Sequence, residues 1–120
     1  MTQISTELAS ALDAMQKMIA TAEETLSRLP MANETKLEFP CALNDKRTNE
    51  IVFIDGRLQL LGKSTGNNYR PLSELPIALR LRCCQLFPEY FGKVKNRATE
   101  LPREVMVAVD AMKQALASDS

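Results

Sequence analysis

Gly62-Lys63-Ser64-Thr65 is the run that most resembles a nucleotide site. A phosphate-binding loop of that kind has four residues between its two glycines, and Gly56 and Gly62 enclose five. Those five, Arg-Leu-Gln-Leu-Leu, read as a strand, and Gly-Asn-Asn-Tyr-Arg-Pro follows Thr65 where a phosphate-holding helix would have to begin. The run is therefore expected to be a polar turn. Histidine is absent, which removes the commonest general base and metal ligand. Three cysteines are present, Cys41, Cys83 and Cys84. Adjacent cysteines on a helix point to different sides, and three thiolates lack the usual fourth zinc ligand, so small buried thiols are expected. Asp45, Glu50 and Asp55 fall at strand ends and read as solvated turn residues with no partner to tune them. The expectation is a chain with no catalytic residue, no cofactor and no metal, and hence not an enzyme.

The basic residues carry more content. Between Arg57 and Arg103 there are nine of them (Arg57, Lys63, Arg70, Arg80, Arg82, Lys93, Lys95, Arg97, Arg103) against Glu74, Glu89 and Glu100. The segment is net +6 within a chain whose formal charge is zero. Such asymmetry suits an acidic partner, or a second half of the fold that complements it. Tyr69 and Tyr90 stand beside these arginines and lysines, and Tyr and Arg dominate interface hot spots. The candidate partner-binding set is Lys63, Tyr69, Arg70, Arg80, Arg82, Tyr90, Lys93, Lys95 and Arg97.

The elements that must position this set follow from periodicity. Asn49–Ser64 is the centre: two strands joined by Asp55-Gly56, a turn that needs positive φ at both central residues. The turn sets Ile54 opposite Arg57, Phe53 opposite Leu58 and Ile51 opposite Leu60, so Ile51, Phe53, Leu58 and Leu60 share the core face. Residues 36–43 alternate in polarity and form a third strand, which Pro40 places at an edge. Residues 3–29 read as a long amphipathic helix, with Leu8, Leu12, Met15, Ile19, Ala22, Leu26 and Leu29 in its stripe, Ile4, Ala11 and Met18 widening it, and Leu29-Pro30 as its stop. Ser73-Glu74-Leu75-Pro76 and Thr99-Glu100-Leu101-Pro102 both read as helix starts. Leu72 and Ile77 would staple the first of these. Pro88 should end or restart that helix, and Leu101, Val105, Ala108, Val109, Met112 and Leu116 should form the buried face of the last one, with residues 118–120 frayed.

The chain is thus read as one α+β domain over 1–120. A helix spans 1–30, a three-stranded antiparallel meander 36–64, and two to three C-terminal helices over 72–117 pack on one face of the sheet. Phe39, Phe53, Leu58, Leu60, Leu12, Ile19 and Val109 are expected in one core. The element order is similar to that of the double-stranded-RNA-binding domain in order alone, without the glycine and lysine signature of that domain's second helix.

With 45% apolar and 25% charged residues the composition is that of a globular protein. No apolar run reaches bilayer length, and M-T-Q-I-S-T-E lacks a signal-peptide pattern, so a cytoplasmic protein is expected. The resulting functional expectation is a small protein-binding module, an adaptor, assembly factor or inhibitor of the kind phages and mobile elements encode. Its partner would be a protein with an acidic surface. Nucleic acid bound through the basic segment 80–97 is the alternative. A homodimer through the first helix is expected as well, because that helix is longer than the strands beneath it.

Overall fold

The computed structural model describes residues 2–41, 44 and 46–118; the side chains of residues 2–4, and with them Ile4, lie outside that description, as do Ala42, Leu43, Asp45 and residues 119–120. The fold is α+β, with α1 (Thr2–Leu26), β1 (Leu37–Pro40), β2 (Thr48–Ile54), β3 (Arg57–Gly62), β4 (Arg70–Pro71) and α2 (Ile77–Ser118). Short 3-10 turns at Ala32–Glu34, Lys63–Thr65 and Leu72–Glu74 join them. The sheet is antiparallel in the order β1-β2-β3-β4.

The hairpin follows from its turn. Asp55 and Gly56 have φ of 57° and 75°, the pair of left-handed residues a two-residue hairpin requires. The register is the expected one, with Ile54 opposite Arg57, Phe53 opposite Leu58 and Ile51 opposite Leu60. Ile51, Phe53, Leu58 and Leu60 are buried with Leu37 and Phe39 of the edge strand β1. Ile19 and Leu26 of α1 and Cys83, Tyr90 and Val94 of α2 close this core from above. Leu12 and Val109, expected here, are only half-buried and stand outside it.

Two polar devices finish the sheet. β4 pairs only Gln59 and Leu60 of β3, which leaves the amide of Leu58 past its end; the Glu23 carboxylate accepts from that N–H at 2.7 Å. At the other end of β3, Asn49 is fully buried, donates from Nδ2 to Ser64 Oγ at 3.0 Å and accepts from the Ser64 amide at 3.2 Å. Gly62 sits there at φ 153°, and a Cβ on it would lie 2.7 Å from the Thr48 carbonyl oxygen. The Gly-Lys-Ser-Thr run is thus the polar turn expected of it, fixed by β2.

The C-terminal half departs from expectation. Ser73-Glu74-Leu75-Pro76 does not begin the helix. Residues 72–74 form a 3-10 turn, Leu75 is extended with ψ 154°, and α2 begins at Ile77. Ser73 Oγ accepts from Arg57 Nη2 at 2.8 Å, so its hydroxyl faces the hairpin. The staple does not form either, since Leu72 is buried and Ile77 is half-exposed.

The two to three expected C-terminal helices are one helix of 42 residues that continues through Pro88 and Pro102. A proline inside a helix removes one hydrogen bond and crowds the preceding turn, at about 3 kcal/mol. Around Pro88 burial outweighs that cost: Cys83 before it and Tyr90 and Val94 after it are all fully buried. The Tyr90 hydroxyl also donates to the Ala32 carbonyl at 2.9 Å, tying α2 to the turn after α1. Around Pro102 an ion pair spans the break, with Arg97 Nη1 3.0 Å from Glu104 and 3.5 Å from Glu100.

Both helices lie on one face of the sheet and run in the same sense. Gln16 donates to the Ser73 carbonyl just ahead of α2, Met18 and Ala22 face Cys84 and Phe87, and residues 34–35 face Lys93 and Asn96. The beginning of α1 therefore overhangs one end of the sheet and the end of α2 the other. The molecule measures 79 × 31 × 21 Å.

Candidate interaction surface

The nine candidate residues do not form one patch. Arg80 and Arg97 are about 25 Å apart along α2 at 1.5 Å per residue. Arg80 is half-buried and donates from Nε and Nη2 to the Leu75 carbonyl at 3.3 and 2.9 Å, so it locks the entry to α2. Arg97 is held by Glu100 and Glu104, and that pairing raises its pKa above the usual arginine value. Lys95 lies 4.9 Å over the Phe91 ring. Arg82 and Lys93 are exposed on α2, Lys63 on the 63–65 turn, and Arg70 on β4. Lys93 and Arg97 share a polar cleft of about 330 Å3 with Glu34, Lys36 and Glu100. Tyr69, half-exposed, lines a different cleft with Asn33, Glu50 and Ile54.

Tyr90 is the correction in this set. It is fully buried, its hydroxyl is used inside the fold, and burial pushes its pKa up to about 12. A phenol in that position builds the core and offers a partner no contact. Of the three thiols expected to be buried, Cys83 is, while Cys41 and Cys84 are half-buried. Cys83 is buried and its thiol is pushed up to about 12 by desolvation; Cys84 is half-buried and raised for the same reason. Both stay protonated near neutrality and are poor nucleophiles. Among the described residues no group of three potential ligands is placed to hold a metal ion, and no helix is long and apolar enough to cross a membrane.

The stripe that the sequence pattern assigns to the core is exposed. Val105 is 48% exposed, Met112 65% and Leu116 70%, while Leu101 and Val109 are half-buried. These residues continue the stripe that is buried earlier in the same helix. Cys83, Val94, Val105 and Leu116 recur every eleven residues, as do Phe87, Ala98 and Val109, and Tyr90, Leu101 and Met112. An eleven-residue repeat corresponds to 3.67 residues per turn, so the stripe stays on one side of a nearly straight helix. Its first half rests on the sheet and α1. Its second half, the arm over 98–118, extends past both and stays bare.

A second apolar feature adjoins the covered half. Met18, Ile19, Ala22, Leu58, Leu72, Cys84, Phe87 and Pro88 line a groove of about 190 Å3 between the two helices and β3. It is half open and almost without polar lining, which suits an apolar side chain and gives no handle for chemistry on a polar substrate.

Comparison with family models, curated proteins and solved structures finds no match for this chain.

Proposed function

We propose that the protein is a non-enzymatic binding module that docks a helical partner on the bare stripe of the α2 arm. The observation that carries this reading is the exposure of Val105, Met112 and Leu116 in one line with the buried Cys83 and Val94. A surface helix normally turns such a stripe toward a core, and a contiguous exposed patch of this kind marks an interaction site. Adaptor, assembly factor and inhibitor all use this mode, in which an amphipathic helix is read at spacings of three and four.

The basic residues fit a secondary role. Arg82 and Lys93 are exposed on the half of α2 that the domain supports, and Lys63 and Arg70 near the sheet edge. Charge spread in this way speeds and orients encounter with an acidic protein surface, while apolar anchors hold the complex. Free thiols kept protonated by burial fit a reducing, cytoplasmic setting.

The test is affinity purification of three full-length chains from the native cell. Val105→Glu with Met112→Glu should lose the partner. Arg82→Glu with Lys93→Glu should weaken its capture and make it more salt-sensitive. Full retention by the first variant with loss by the second would move the site to the basic face. Recovery of nucleic acid instead of protein, released steeply by salt, would establish the alternative reading.

A further inference from the structure

We infer that the partner of the α2 arm is the same arm of a second copy, paired antiparallel about a two-fold axis near Ala108 and Val109. The inference rests on the helix-docking reading above and names its occupant.

The stripe is symmetric about that point. Leu101 and Leu116 lie equally far from it, as do Val105 and Met112, and Ala108 and Val109 flank it. A two-fold interface must be self-complementary, and with antiparallel arms this order of side chains sets each apolar residue of the stripe level with another apolar residue. Leu101 then meets Leu116 of the second copy at both ends, and Val105 meets Met112. The small Ala108 at the centre lets the two backbones approach.

The domains select the same direction. The stripe faces the side that carries the sheet layer, so parallel arms would bring two sheet layers into the same space. Antiparallel arms put the two domains at opposite ends. The charged residues of the arm, Glu100, Arg103, Glu104, Asp110 and Lys113, all lie off the stripe and leave the seam apolar.

The space also fits. The stripe faces the side on which Cys83, Tyr90 and Val94 rest against the sheet layer. Where that layer ends, the arm overhangs a step about 10 Å deep, the diameter of one helix. The overhang is 21 residues, 98–118, or about 31 Å. A second arm of equal length fills it and stops at the first domain. A third of the circumference of such a helix comes to about 350 Å2, so two arms bury about 700 Å2, in the range of weak, transient contacts. The pairing is therefore weak and reversible.

The exposed beginning of α1 offers a shorter alternative, with Leu8 55% exposed and Leu12 and Met15 already half-buried. The arm has the longer bare stripe and the internal symmetry.

The experiment is sedimentation equilibrium of the full chain from about 1 to about 500 µM, a range that spans the expected mass-action transition. It is followed by thiol cross-linking of Val105→Cys and Met112→Cys chains. Wild type, with its three native thiols, is the blank. The expected result is a monomer–dimer equilibrium that Val105→Glu with Met112→Glu abolishes. Mixed Val105→Cys and Met112→Cys chains should cross-link as a heterodimer, and neither should do so alone. A wild-type monomer over the whole range, or cross-linking of Val105→Cys with itself, overturns the inference. If that monomer still captures another protein and the double Glu variant does not, self-pairing falls and the docking reading stands.

Discussion

Replacing Tyr90 by Phe removes one oxygen from a fully buried side chain. That oxygen donates to the Ala32 carbonyl at 2.9 Å. The ring stays, so loss of packing is small, and the effect is confined to the hydrogen bond. The Ala32 carbonyl keeps only the long bond from the Thr35 amide at 3.5 Å, so the loss lies between the ~1 kcal/mol net value of an ordinary bond and about 2 kcal/mol for a partly stranded buried acceptor. For a chain of this size each kcal/mol moves Tm by about 4 °C, so the midpoint should fall by about 4–8 °C. Thermal unfolding followed by circular dichroism measures this, and urea titration should show a lower midpoint with an unchanged slope. The result bears on function as well as on stability, because Tyr90 was a natural choice for a binding anchor. An unchanged Tm together with loss of partner capture would refute the placement of this hydroxyl and return Tyr90 to the surface.

Other perturbations separate core from arm. Gly62→Ala should destabilise by about 2–5 kcal/mol, because overpacking and backbone strain add. Its Cβ would lie 2.6 Å from Asn49 Oδ1 and 2.7 Å from the Thr48 oxygen, and the latter is backbone and cannot swing aside. An expressed, fully stable alanine variant, judged by its urea midpoint, would contradict that geometry. Val105→Glu with Met112→Glu should leave the Tm of dilute protein within about 2 °C of wild type, since neither side chain is in the core. A large fall would mean that the arm folds back onto its own domain. Stability should also decline at alkaline pH. The Cys83 thiol and the Tyr90 phenol, with ordinary values of 9.0 and 10.0, are both raised to about 12 by burial. Their folded-state values exceed the unfolded ones, so this stabilisation is complete below about pH 9 and is lost as pH rises toward 12. A urea midpoint that holds constant from pH 8 to pH 12 would show that neither group is buried in its neutral form.

The sheet was legible because its signals are local. Asp55-Gly56 determines its own turn type and hence the register of β2 and β3, and Pro40 marks an edge whatever the rest of the chain does. β4 was not legible: two residues, Arg70 and Pro71, carry no alternation, and their pairing is set by β3 beside them. Helix α2 was not legible as one helix, because proline is a local stop signal. Its continuity depends on Tyr90 and Val94 after Pro88, and on Arg97 reaching Glu104 across Pro102. One signal did point to a single helix. The eleven-residue spacing keeps its phase from Cys83 to Leu116, and a chain broken at both prolines has no reason to preserve it. The candidate site is obscured by the same signals. Residues 101–116 carry the pattern of a core helix, so the basic residues and tyrosines stand out instead, although Arg80 and Arg97 are held within the fold and Tyr90 is interior. Glu23 caps the Leu58 amide, so reversing its charge would perturb the sheet.

Amide hydrogen exchange across α2, in dilute and in concentrated protein, tests the central claim most directly. Exchange reports the opening of each segment separately. The account predicts slow exchange over 77–97 at both concentrations, because Cys83, Tyr90 and Val94 anchor that half. It predicts fast exchange over 101–116 in dilute protein and marked protection there when the protein is concentrated. Equal protection of both halves at every concentration would show that the domain itself covers the stripe, and the arm would not be a docking surface.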